Sequence, residues 1–192
     1  MIHGGGVSAA ARLREPSILD RLRTETRAEH DAIERELDWE RRVSTIDGYR
    51  TMLERLHGFH AAWEPAAAAA IGDPGFFDPR RKLALLAGDV ARLGGDARPR
   101  YPYAVAFGGA DEALGSMYVL EGSTLGGQLI ARRVRAALGF APGYHDAYGP
   151  ATGAMWRAFQ ARLVEVRDAD AAVEGARRTF GDLRGWLTEG AR

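Results

Sequence analysis

From Ser17 to Leu187 the apolar residues of this chain recur at spacings of three and four, with no strand pattern in which apolar and polar residues alternate at a spacing of two. The first spacing lays side chains on one stripe of a helix; a half-buried strand needs the second. The stripes are explicit. Ile18, Leu19, Leu22, Ile33 and Leu37 mark a first helix over about 17–37, opened by Pro16 and Ser17. Ile46, Tyr49, Leu53, Leu56 and Trp63 mark a second over about 43–70, with Ser44 and Asp47 spaced as a capping box. Gly72-Asp73-Pro74-Gly75 ends it. Leu83, Leu86, Val90 and Leu93 mark a third, started near Asp78-Pro79. A fourth runs through Leu114, Met117, Tyr118 and Glu121, and its pattern resumes at Leu129, Ile130, Val134 and Leu138 before Gly139. Two more follow, on Met155 to Val166 and Val173 to Leu187. The expected fold class is all-α, a single-domain helical bundle.

The chain has 192 residues and shows no internal repeat and no domain-scale linker, so one domain over 17–192 is expected. Residues 1–16, MIHGGGVSAAARLREP, read as a flexible tail without the apolar core of a signal peptide. No apolar run reaches the roughly 18 residues of a membrane span. A soluble, cytoplasmic protein is expected. The 26 Lys and Arg equal the 26 Asp and Glu, which argues against a nucleic-acid partner. Only Lys82 is lysine. There is no cysteine, which excludes disulfides, thiolate nucleophiles, cysteine–zinc sites, iron–sulfur clusters and thiolate-ligated haem.

Two features break the pattern of a bland bundle. His30 falls on the apolar stripe of the first helix, eight residues after Leu22 and three before Ile33. It reads either as a hydrogen-bonded core histidine or as a neutral imidazole offered to a haem iron. Gly122-Ser123-Thr124-Leu125-Gly126-Gly127 lies inside a long helical pattern. Each glycine costs about 1 kcal/mol against alanine there, so three should bend or loosen the helix. Two explanations stand: close packing of another helix on Gly122 and Gly126, or backbone approaching a flat ligand. No strand precedes the run and no Gly-Lys-Ser/Thr follows, so a phosphate loop does not fit.

His57 and His60 lie on the second helix, and Glu54 with His57 forms one Glu-x-x-His motif. A di-iron bundle needs two, and no second copy is present. His60 lies on the apolar stripe and is the rival to His30 as a ligand. His3 and His145 fall in expected loops.

The stretch Leu22-Arg23-x-x-Thr26-x-x-x-His30-x-x-x-Glu34 resembles the first-helix motif of haem oxygenases. Gly115-Ser116-Met117-Tyr118-Val119-Leu120-Glu121-Gly122-Ser123-Thr124-Leu125-Gly126-Gly127-Gln128 resembles their glycine-rich distal helix. The likeness is to bacterial members, including those associated with bacterial phytochromes, and extends over about 17–187 in helix order and spacing.

The resemblance implies a haem sandwiched between two helices, with His30 as proximal iron ligand. It implies that Gly122, Ser123 and Gly126 form the distal catalytic wall, where the backbone leaves room for O2. Ser123 stands where the mammalian members carry an aspartate that orders water. Arg23, Arg132, Arg133 and Arg157 are the implied propionate cations. Thr26, Tyr118, Gly127 and Phe180 complete the implied haem contacts. The implied reaction cleaves haem, substrate and cofactor at once, to biliverdin, carbon monoxide and ferrous iron, with O2 and electrons from a ferredoxin or flavoprotein reductase. A link to a bacteriophytochrome is implied too. A non-catalytic haem carrier or sensor, a thiaminase-like enzyme on the same fold and a di-iron oxidase are the alternatives.

Overall fold

A computed structural model describes residues 15–96, 101–102 and 104–188. Most of the expected tail, residues 1–14, lies outside the described residues, as do 189–192. Every regular element among the described residues is helical, as the apolar spacing requires.

The first stripe folds as two helices, α1 (Ile18–Glu25) and α2 (Arg27–Leu37), and not one. Ser17 and Asp20 form a reciprocal capping box at the start. Thr26 breaks the regularity: its hydroxyl donates back to the Leu22 carbonyl at 2.7 Å and its ψ opens to 10°. Asp38, at φ 44°, ends α2 and leads into the short α3 (Trp39–Arg42).

The central helix α4 (Ile46–Ile71) is capped by Thr45, whose side chain accepts from Gly48 N–H. The Ser44–Asp47 box does not form; Ser44 donates to the Arg41 carbonyl instead. Gly72, at φ 65°, stops α4 in a left-handed conformation that suits glycine. Asp78-Pro79 opens only a single 3-10 turn (Asp78–Arg80), after the short α5 (Pro74–Phe77). The expected third helix therefore begins later, as α6 (Leu83–Arg92).

The helix α7 (Ala110–Leu138) runs unbroken through the glycine run and ends at Gly139, φ 64°. The glycines interrupt its apolar pattern but not its hydrogen-bonded length. α8 (Thr152–Leu163) and α9 (Ala169–Thr188) complete the chain.

α4, α7 and α9 form the core, with α1 and α2 laid across α9 and α6 laid against α4. Tyr49, Met52, Leu53, Phe59, Met117 and Leu163 are among its most deeply buried residues. Small residues bring α7 and α9 together. A β-carbon on Gly115 would overlap the Ala172 carbonyl, and one on Gly175 would overlap that of Glu112. Trp63 Nε1 donates to Ser116 Oγ (2.7 Å), which is bonded to Thr179 Oγ1 (2.6 Å), tying all three core helices by polar groups.

Candidate haem-sized cavity

A cavity of about 440 Å³ opens between α2 and α7. Its volume lies within the range of small-molecule and cofactor sites, roughly 300–1,000 Å³. One wall is α2, with His30, Ile33, Glu34 and Leu37. The facing wall is α7 from Tyr118 to Ile130, including Gly122, Ser123, Gly126 and Gly127. α9 adds Phe180, Leu183 and Leu187, and Trp156 of α8 adds a flat ring. The surface is mostly carbon, broken by a few polar groups at either end.

The α1–α2 break shapes the first wall. Thr26 closes α1 with its hydroxyl, and α2 then carries His30 to the cavity, one turn after the break. The His30 imidazole lies edge-on to Phe180, ring centroids 5.9 Å apart. Its ring nitrogens stand 3.7 Å from Asp31 and 3.6 Å from Glu34, beyond hydrogen-bond reach. With a side chain 52% exposed, His30 is not a satisfied core histidine.

The glycines of α7 divide into two kinds. Gly115 is a packing glycine, and Gly127 approaches the His145 carbonyl, which a β-carbon would meet at 3.0 Å. Gly126 has nothing within 4 Å of a β-carbon, and Gly122 only the rim of Trp156 at 4.0 Å. Helix packing therefore does not explain Gly122 and Gly126. Their missing side chains leave open space in the cavity wall, where backbone can approach a flat ligand.

The other residues proposed from sequence separate clearly. Arg23 and Tyr118 line the cavity with His30 and Phe180. Ser123 is at the wall, but its Oγ donates to the Leu120 carbonyl at 2.8 Å. Thr26 is buried behind the wall and lines nothing. Arg132, Arg133 and Arg157 are exposed and outside the lining. His60 is buried beneath the cavity with both nitrogens engaged: Nδ1 with Glu64 (3.2 Å), Nε2 with Tyr144 OH (3.3 Å). Because a carboxylate only accepts, the proton sits on Nδ1 and Tyr144 donates to Nε2. Burial pushes the His60 imidazolium down, so the ring is neutral. Burial opposes the Glu64 charge, yet hydrogen bonds from His60 and from the Lys82 and Leu83 N–H groups hold its carboxyl below the ordinary range.

Sequence reasoning missed the inner end. There Lys82, Tyr144 and His145 join the lining. The loop after α7 turns back beneath it, held by Asp89, which accepts from Gly143 N–H and Tyr144 N–H at 2.9 Å. His145 Nδ1 shares a hydrogen bond with Tyr49 OH at 2.9 Å. Burial pushes the His145 imidazolium down to about 3. Lys82 donates to Glu121 Oε1 at 3.0 Å, and Tyr148 OH donates to the same oxygen at 2.7 Å. The signal in sequence was a solitary lysine among 25 arginines, together with a glutamate immediately before the glycine run.

No family model matches the sequence, and no curated protein sequence matches it. The fold does find a relative among solved structures. The chain is similar to the NO- and CO-bound haem oxygenase from Neisseria meningitidis, with a TM-score of 0.77 and 21% identity. The likeness covers 90% of this chain and 91% of that one. The chain thus has the all-α haem oxygenase fold. No helix among the described residues is long and apolar enough to cross a membrane.

Proposed function

We propose that this protein is a haem oxygenase that converts haem to biliverdin, carbon monoxide and ferrous iron. The carrying observation is the pair Gly122 and Gly126, whose absent side chains open onto the cavity that His30 also lines. The residues fit the group: an imidazole without a hydrogen-bond partner, an apolar slot with Phe180 and Trp156 in its walls, and bare backbone on one face. Haem, when bound, supplies the iron that activates O2 and is itself the ring that is opened.

The chain's own residues hold and orient. His30 would hold the haem iron through an imidazole nitrogen. Phe180 fixes the imidazole plane by its edge contact. The Arg23 guanidinium at the cavity edge is placed to meet a propionate carboxylate, which its planar fork suits. Gly122 and Gly126 leave space in the facing wall where a small ligand would fit, and the apolar walls would keep bulk water from it. Electrons come from a ferredoxin or flavoprotein reductase. A cytoplasmic location and a bacteriophytochrome as user of the product belong to the same reading.

The test is direct. Haem is added to the protein, then a reductant in air, and the absorption spectrum is followed. A Soret band that forms and then decays to a biliverdin spectrum supports the reading. No Soret band, or one that persists under turnover, overturns it.

One observation favours a second reading, a haem carrier or sensor: His145 lines the same cavity as His30. A carrier would show a six-coordinate spectrum with two nitrogen ligands, lost in His145→Ala.

A further inference from the structure

The Lys82 side chain is 3% exposed and forms part of the inner wall of the cavity. An ammonium has three N–H donors. Among the described residues Glu121 Oε1 is its one hydrogen-bond acceptor, and the Tyr148 ring covers it at 5.0 Å. Two donors are left over beside the cavity.

No other group nearby meets those donors. Arg80 Nε lies 3.5 Å from Glu121 Oε2, and each of these two buried atoms lacks any hydrogen bond. Arg80 and Lys82 thus share a single carboxylate. Glu64 gives the Lys82 ammonium no hydrogen bond: its Oε1 accepts from His60 and from the Lys82 and Leu83 backbone N–H groups, while Arg81 pairs with Asp78 at 2.8 Å. Asp89 is paired with Arg92 at 3.1 Å. Burial keeps His60 and His145 neutral, and it keeps Tyr144 and Tyr148 protonated by raising both phenols. Two N–H donors of a buried ammonium therefore stay unmet, in a setting where an unmet polar group is costly. The hydroxyls nearest the glycine run cannot take over a ligand-binding role. Ser123 and Thr124 donate to the Leu120 and Glu121 carbonyls of their own helix.

We propose that Lys82, held in place by Glu121, binds a small anion, or a ligand oxygen bearing negative charge, at the inner end of the cavity. Lys82 is the contacting residue; Glu121 positions it and Tyr148 covers it. The proposal rests on the haem reading, since it assigns the ammonium to the space that reading leaves for a small ligand.

The probe is fluoride, titrated into the ferric haem-loaded protein, with carbon monoxide on the reduced protein as the neutral comparison. Lys82→Met should weaken fluoride binding about ten-fold or more, the loss expected for a hydrogen bond from a charged donor. Carbon monoxide affinity should stay within about two-fold, since a neutral ligand gains little from a nearby charge. Lys82→Arg keeps the charge and should retain most fluoride affinity. Glu121→Gln, which removes the compensating carboxylate, should tighten fluoride. If Lys82→Met does not fold, Lys82→Met/Glu121→Gln removes the pair together and carries the same prediction. Unchanged fluoride affinity alongside a normal Soret band overturns this proposal and leaves the haem reading intact. Equal losses for fluoride and carbon monoxide overturn it too, because they mark a reshaped cavity. Failure of the unaltered protein to give a Soret band overturns both.

Discussion

Gly115 of α7 meets Ala172 of α9 backbone to backbone, so closely that no β-carbon fits between them. Gly126, eleven residues on, has nothing within 4 Å of where a β-carbon would stand. Gly115→Ala must push two core helices apart. It should cost at least the ~1–3 kcal/mol of an overpacked core, lowering Tm by roughly 2–4 °C for each kcal/mol. Gly126→Ala should not lower the Tm of the haem-free protein, since alanine favours helix by about 1 kcal/mol. It should weaken haem binding, because its methyl enters the cavity. Thermal unfolding and haem titration of both variants check this. A Gly126→Ala variant as unstable as Gly115→Ala would refute the assignment of Gly126 to the cavity.

Replacing Ser116 tests the polar tie through the core. Thr179 Oγ1 donates to the Gly175 carbonyl at 2.8 Å, so it accepts from Ser116, which in turn accepts from Trp63 Nε1. The direction of the chain is thereby fixed. Ser116→Ala leaves the buried indole N–H without an acceptor, at a cost of about 1–3 kcal/mol. Denaturant unfolding should show a lower midpoint with an unchanged slope.

For His30 the expectation separates chemistry from stability. Its side chain is half exposed and makes no hydrogen bond, so His30→Ala should move the haem-free stability by less than ~0.5 kcal/mol. The haem-loaded spectrum should lose its axial nitrogen ligand, and added imidazole should restore it. An unchanged spectrum would transfer the ligand to another histidine. His145, which lines the cavity, is then the first candidate, ahead of His60, whose two nitrogens are engaged.

How far residue patterns alone reach is visible in these sites. His30 and the glycine run are legible because each is a local irregularity on an otherwise regular helix. The capping of α4 by Thr45, and the late start of α6, differ from expectation because neighbouring Ser, Thr and Asp side chains offer competing local hydrogen bonds, and Asp78-Pro79 opens a short 3-10 turn instead. The inner end is not legible for another reason. Lys82 meets Glu121 across 39 residues and Tyr49 meets His145 across 96. The first pair is made where the start of α6 meets α7 and the second where the loop after α7 returns to α4, and no spacing along the chain encodes either. The cations expected for propionates show the same limit: Arg23 reaches the cavity, whereas Arg132 and Arg133 lie on α7 but stand off the lining.

Acid should unfold this protein through its buried histidines. His145 falls from its ordinary 6.5 to about 3 because burial penalises the imidazolium. In the unfolded chain the same ring protonates near 6.5, so between about 3 and 6.5 the unfolded state holds the extra proton. Stability therefore is fully present above about pH 6.5 and falls as pH drops, by about 1.4 kcal/mol per pH unit for each such histidine. His60, also held neutral by burial, steepens the fall. Glu64 adds a separate loss below the ordinary carboxyl range, since its folded carboxyl is held low. Unfolding free energies of the haem-free protein, measured by urea titration from pH 7.5 to pH 4.5, should decline along this slope. His145→Phe should remove one proton's worth of it. A flat profile in the unaltered protein, or a slope unchanged in His145→Phe, would show that the buried imidazole is not the group that titrates.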